Sequence, residues 1–144
     1  MNVLVVCTGN TCRSPMAGGL LKKIAQSRGL SVVVRTAGLA YHPGKRVAEN
    51  AVKVMAEVEI DISDEYSKPV TAQEVKWADI ILPVERRHGD HLLEDFPGAA
   101  RKIRFLESDV PDPYLGPLSE YREKRDVLIA LVSRLVESLH APAL

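Results

Sequence analysis

Four apolar residues, Val3 to Val6, run straight into Cys7-Thr8-Gly9-Asn10-Thr11-Cys12-Arg13-Ser14-Pro15, and this junction constrains the chain more than any other segment. A short continuous apolar run predicts a strand buried on both faces. The small, polar stretch after it is turn-prone. Ser14 then offers an N-cap hydroxyl and Pro15 suits a first helical position. Ala17, Leu20, Leu21 and Ile24 share one helical face, and Gly29 supplies the stop. The alternation repeats down the chain. Val32 to Val34 reads as a second buried strand ending at Thr36-Ala37-Gly38, Asp79 to Leu82 as a third, closed by Pro83, and Ile103 to Leu106 as a fourth. Helical spacing connects them at Val47 to Val58, Thr71 to Ala78 and Glu85 to Leu93. A long last helix, with Ser119 as its cap, carries Leu128, Leu131, Val132, Leu135 and Leu139 as one stripe. Strand–helix alternation predicts an α/β fold, a parallel sheet with helices on both faces. Ligands of such folds bind beyond the carboxyl ends of the strands, where Cys7 stands.

The loop from Cys7 to Ser14 has the parts of an anion site. Successive N–H groups in a tight loop form a concave nest, and the helix start adds positive potential. Gly9 and Asn10 tolerate the left-handed conformations such a ring needs. Arg13 brings a planar fork able to hold two phosphate oxygens. The same positive surroundings favour a thiolate at Cys7, and Ser14 can donate to its sulfur. A single loop would thus bind a phosphoryl group and aim a nucleophile at its phosphorus. The ATP-binding loop is a poor rival because a Gly-Lys-Ser/Thr ending is missing. Zinc is another, because Cys7 and Cys12 lack further cysteines or closely spaced histidines.

Composition narrows the partners. The 144 residues suit a single domain spanning 1–144, and 19 basic against 19 acidic residues give no net field for holding nucleic acid. No stretch approaches the ~18 apolar residues that cross a bilayer, and no secretory signal is read. A cytoplasmic protein without membrane partners is expected, with both cysteines reduced.

From Cys7 to Pro15 the sequence resembles the low-molecular-weight protein tyrosine phosphatases, whose signature Cys-x-Gly-Asn-x-Cys-Arg-Ser-Pro it matches without a gap. The similarity extends to Thr36-Ala37-Gly38 and Asp112-Pro113-Tyr114. The resemblance implies a flavodoxin-like three-layer sandwich with a four-stranded parallel sheet. It also implies Cys7 as nucleophile, Arg13 as phosphate clamp, Asn10 as the residue shaping the loop, and Ser14 as partner of the thiolate. Thr8, Gly9, Thr11 and Cys12 complete the phosphate cradle, and Cys12 could close a protective disulfide with Cys7. No cofactor or metal is implied. The partners would be phosphorylated proteins. The oligomeric state is left open, with a monomer expected.

A departing leaving group needs a proton. Asp112, stiffened between Pro111 and Pro113, is the candidate acid and matches the family's Asp-Pro-aromatic motif, with Asp109 and Glu107 as solvated fallbacks. Tyr114 matches the aromatic at the pocket mouth, and Tyr41 and His42 would build the other wall. Trp77 reads as core, and His88, His91 and His140 as surface residues. Thr11 stands where most tyrosine-specific members carry a larger aliphatic, and Thr11 with Met16-Ala17 looks like the protein-arginine phosphatase branch. A slim hydroxyl-bearing floor suits a polar guanidinium better than a phenyl ring. A harmless variant within a tyrosine phosphatase, an arsenate reductase and a phosphoresidue-binding module are the other readings. The thioredoxin-coupled reductase needs a third cysteine, and the chain has 2.

Overall fold

The computed structural model describes residues 1–40 and 43–140, the side chain of His140 excepted; Tyr41 and His42, assigned to the pocket wall, lie outside the described residues. The apolar run forms β1 (Asn2–Cys7), which lies at the centre of a parallel sheet. It is flanked by β2 (Val33–Gly38) and β3 (Ile80–Pro83) in the order β2-β1-β3. The register pairs Cys7 with Gly38 and Val6 with Pro83, so all three strands deliver their carboxyl ends to one edge.

Alternation along β1 builds three layers. Val3, Val5 and Cys7 face a core with α1 (Arg13–Ser27), α2 (Glu49–Ala56) and α5 (Leu118–His140), including Met16, Leu21, Met55, Leu128 and Val132. Leu4 and Val6 point the other way, against Val75 of α3 (Ala72–Trp77) and Leu92 of α4 (Arg86–Asp95). Successive strand side chains point to opposite faces, so one buried strand serves two cores. Trp77 packs half-buried on the second core, with the Arg35 guanidinium 4.2 Å from its ring centroid.

Three expectations need correction. The sheet among the described residues has three strands, not four. Ile103 makes an isolated parallel bridge to Ile81, and Arg104 N–H donates to the Ile81 carbonyl at 2.9 Å, but no ladder follows. Phe105 instead packs against Gly89 of α4, where an added Cβ would come within 2.7 Å of its ring. The second strand is buried only at its end: β2 is an edge, and Val33 is exposed while Thr36 to Gly38 are buried. Finally, α1 begins at Arg13, one residue before the expected cap. Its N-cap position is Cys12, with no side-chain cap. Ser119 likewise falls inside α5, which starts at Leu118.

Candidate active site

The carboxyl end of β1 turns into α1 through residues 8–12, and each polar side chain of that turn has a defined partner. Asn10 sits at φ 55°, the left-handed conformation for which asparagine is suited. Gly9, expected to share that conformation, does not. The Asn10 amide donates to Ser14 Oγ at 2.7 Å, its carbonyl oxygen accepts from Lys68 N–H at 2.9 Å, and its own N–H donates to Cys7 Sγ at 3.2 Å. Ser67 Oγ donates to the Gly9 carbonyl at 2.8 Å. Gly38 backs the turn; a Cβ there would lie 2.8 Å from the Thr8 carbonyl oxygen. The glycine is required by this close approach rather than by a positive φ.

These contacts fix what the cysteine feels. Ser14 Oγ already accepts from Asn10 Nδ2, so its own proton is free to donate to Cys7 Sγ, 3.0 Å away. Two donors, Ser14 O–H and Asn10 N–H, converge on a buried sulfur. That arrangement suits a negatively charged sulfur, either as nucleophile or as leaving group. Of the two roles expected of Ser14, helix cap and donor to the sulfur, the hydroxyl takes the second and caps no helix N–H. The uncapped N-terminus of α1 leaves first-turn N–H groups to the loop, the usual arrangement for anion binding.

Arg13 is 1% exposed. Its Nη1 bonds the Glu85 carboxylate and donates to the Val110 carbonyl at 2.9 Å, while Nη2 lies 3.5 Å from Asp112 Oδ2. A buried guanidinium needs such partners to be tolerated. Asp112 lies on an exposed loop, with Oδ1 accepting from Tyr114 N–H at 3.0 Å. That loop is tied to the end of β3 by Val110 N–H donating to the Val84 carbonyl at 3.2 Å. Cys7, Gly9, Thr11, Cys12, Arg13 and Asp112 line one small depression. Thr11 is buried within it, and its carbonyl accepts from Ala48 N–H at 2.8 Å. At the mouth Tyr114 is exposed, its hydroxyl 2.5 Å from Lys45 Nζ. Asp109 and Glu107 are solvated as expected, Asp109 accepting from Arg86 N–H at 2.9 Å. A larger cavity of about 390 Å³ lies between α1 and residues 59–65, away from Cys7 and Arg13.

Sequence reading missed two site residues. His88 is 2% exposed, not a surface residue. Glu85 N–H donates to its Nδ1 at 3.2 Å, so the neutral ring carries its proton on Nε2, 3.0 Å from Thr8 Oγ1. Burial, reinforced by the Arg13 and Arg87 charges, lowers His88 to about 4. Glu85 is shared by two guanidiniums. Burial pushes its carboxyl up, but hydrogen bonds from Arg87 and Arg13 outweigh that and hold it below the usual range. The one signal available for this segment was a helix start following β3, at the strand ends where ligands of such folds bind; neither the burial of His88 nor the partners of Glu85 were legible. Burial also raises the Cys12 thiol, partly offset by hydrogen bonds with Tyr121 and Thr11, with Tyr121 OH 3.4 Å from Cys12 Sγ.

Comparison with known proteins places this geometry. Residues 2–143 match the family described as low molecular weight phosphotyrosine protein phosphatase. A protein-arginine-phosphatase of Bacillus subtilis is 35% identical over 96% of this chain and 97% of its own length. The low molecular weight protein-tyrosine-phosphatase Wzb of Escherichia coli is 31% identical, over 95% and 89%. Among solved structures, a Cys-to-Ser mutant of the YwlE arginine phosphatase with a phosphorylated active-site serine superposes with TM-score 0.92. It is 34% identical, over 96% of this chain and 95% of that one. The match runs almost from end to end, and the chain belongs to the low-molecular-weight phosphotyrosine protein phosphatase family.

Proposed function

We propose that the chain hydrolyses phosphorylated protein side chains through a phosphocysteine intermediate on Cys7, with phosphoarginine preferred over phosphotyrosine. The observation that carries this reading is the shared depression of Cys7, Thr11, Arg13 and Asp112. The loop N–H groups and Arg13 hold the phosphoryl oxygens. Cys7 sulfur attacks phosphorus, and the bond from phosphorus to the substrate's nitrogen or oxygen breaks as Asp112 delivers its proton to that atom. Asp112, now ionised, takes a proton from water, whose oxygen attacks the same phosphorus. The sulfur leaves with its electron pair, stabilised by Ser14 O–H and Asn10 N–H. The phosphorylated serine in the relative is consistent with a covalent step at that position. When peroxide oxidises Cys7 to its sulfenic acid, the buried Cys12 thiol condenses with it, forming the Cys7–Cys12 disulfide and releasing water.

Phosphoarginine is favoured because Thr11 gives the floor a slim, hydroxyl-bearing side chain, and because arginine phosphatases are among the relatives. A guanidinium buried against isoleucine would leave N–H groups unpaired, at a cost of roughly 1–3 kcal/mol each. Side-by-side turnover of phosphoarginine and phosphotyrosine peptides tests this. Wild type should prefer phosphoarginine, and Thr11→Ile should move the ratio of kcat/KM toward phosphotyrosine by about tenfold or more. Good phosphotyrosine turnover with negligible phosphoarginine turnover in wild type would remove the arginine preference and leave a tyrosine phosphatase.

A further inference from the structure

Beside the phosphate loop lies a cluster of donors that the proposed chemistry does not use. Arg87, at the start of α4, has a side chain 62% exposed yet is not free to wander. Its Nε donates to Glu85 Oε2 at 2.9 Å, and its Nη2 reaches Glu85 Oε1 and Thr8 Oγ1, both at 3.3 Å. One edge of the guanidinium is thereby pinned, while the Nη1 edge has no hydrogen-bond partner among the described residues. Thr8 Oγ1 faces donors alone: His88 Nε2–H at 3.0 Å, Arg87 Nη2 at 3.3 Å and Arg13 Nη2 at 3.5 Å. A hydroxyl has two lone pairs and one proton. With donors around its oxygen, the Thr8 proton has no acceptor in this cluster and is available to something outside the protein.

Charge points the same way. Glu85 supplies one negative charge behind two guanidiniums, and the second acidic neighbour, Asp112, carries the proton when the proposed reaction begins, so one positive charge is left over at that stage. Asp112 lies 3.5 Å from Arg13 Nη2, and Asp109 is engaged by Arg86 N–H. A phosphoryl group in the loop takes the open face of Arg13, and the Nη1 edge of Arg87, whose other edge is held by Glu85, is the charged donor still open at the rim. A ligand for this spot must be an acceptor with negative charge and must reach in from outside while the loop is occupied. The remainder of a phosphorylated protein substrate meets both conditions.

We infer that Arg87 and Thr8 form a second subsite, which binds a carboxylate side chain of the substrate protein close to its phosphorylated residue. The inference rests on the phosphatase reading above. Glu85 and His88 act as positioning residues, one pinning the guanidinium and the other orienting the hydroxyl. Pre-organisation lets an exposed arginine bind at low entropic cost.

Paired phosphopeptides with Asp or Asn at each of the positions flanking the phosphorylated residue test this, with an aryl phosphate run in the same preparations. At one flanking position, Asp should raise kcat/KM over Asn by about three- to tenfold in wild type, the range for a charge-assisted contact at a wet rim. Raising the ionic strength should shrink that ratio. In Arg87→Ala the ratio should fall to about one, because the partner charge has gone, and Arg87→Lys should restore part of it. Dividing by the aryl phosphate rate removes any general effect of disturbing Glu85. Equal Asp and Asn rates at every position in wild type, or an unchanged preference in Arg87→Ala, would overturn the subsite. Failure of wild type to turn over the aryl phosphate would instead overturn the phosphatase reading itself.

Discussion

Replacing Glu85 by glutamine removes one charge from behind Arg13, the proposed phosphate clamp, while keeping the shape of the side chain. In the folded protein Glu85 faces Arg13, whose side chain is 2% exposed, and Glu85 itself is 15% exposed. Breaking a buried ion pair from one side costs about 3–5 kcal/mol, because the remaining charge is stranded. Arg13 keeps the Val110 carbonyl and the nearby Asp112 carboxylate, and glutamine still presents one acceptor oxygen. A loss of about 2 kcal/mol is therefore expected, or about 4–8 °C in Tm for a domain of this size. Bound phosphate supplies the missing negative charge, so the difference between wild type and Glu85→Gln should narrow by about 1 kcal/mol at saturating phosphate. Acid should erase it too. The Glu85 carboxyl is held low in the fold, so its contribution is present above the unfolded carboxyl range near ~4.3 and is lost as pH falls through the lower folded value. Urea unfolding of both proteins, with and without phosphate and at neutral and acid pH, measures all three effects. A loss below about 0.5 kcal/mol, or one indifferent to phosphate, would refute the idea that Glu85 compensates Arg13.

Asp112→Asn should slow substrates with poor leaving groups by roughly 10²–10⁴ while comparatively sparing activated aryl phosphates; equal losses on both would point away from Asp112 as the acid. Wild type should lose stability as pH falls from about 6.5 towards 4, because His88 stays neutral in the fold down to about 4 while the unfolded chain takes up a proton; that slope should flatten by up to ~1.4 kcal/mol per pH unit in His88→Gln, measured by denaturant titration. Mild peroxide should inactivate reversibly through a Cys7–Cys12 disulfide restored by a dithiol, whereas mass spectrometry finding only sulfinic or sulfonic Cys7 would leave Cys12 a packing residue.

Local sequence determined whatever depends on near neighbours. Val3 to Val6 is apolar on both faces, so β1 had to be interior, and the loop between Cys7 and Arg13 had to meet a helix start. Cys7, Asn10, Arg13 and Ser14 are consequently legible as one unit, since Cys7 and Ser14 stand only 7 positions apart and meet whatever the rest does. Only the tertiary structure decided the residues that complete the unit. Glu85 is 72 positions from Arg13 and His88 is 80 from Thr8. They meet because β3 lies parallel to β1 and releases α4 at the same edge. The histidine bonds locally to Glu85 N–H, but it reads as a surface residue because its burial and its bond to Thr8 depend on that long-range contact. The fourth strand failed for a related reason. Apolar residues at Ile103, Phe105 and Leu106 satisfy strand and packing patterns alike, and the choice lay with Gly89, whose missing side chain makes room for the Phe105 ring. The apolar pattern alone does not separate a sheet ladder from a ring packed on a helix, and the space left by a glycine in a distant element is what accommodates the ring.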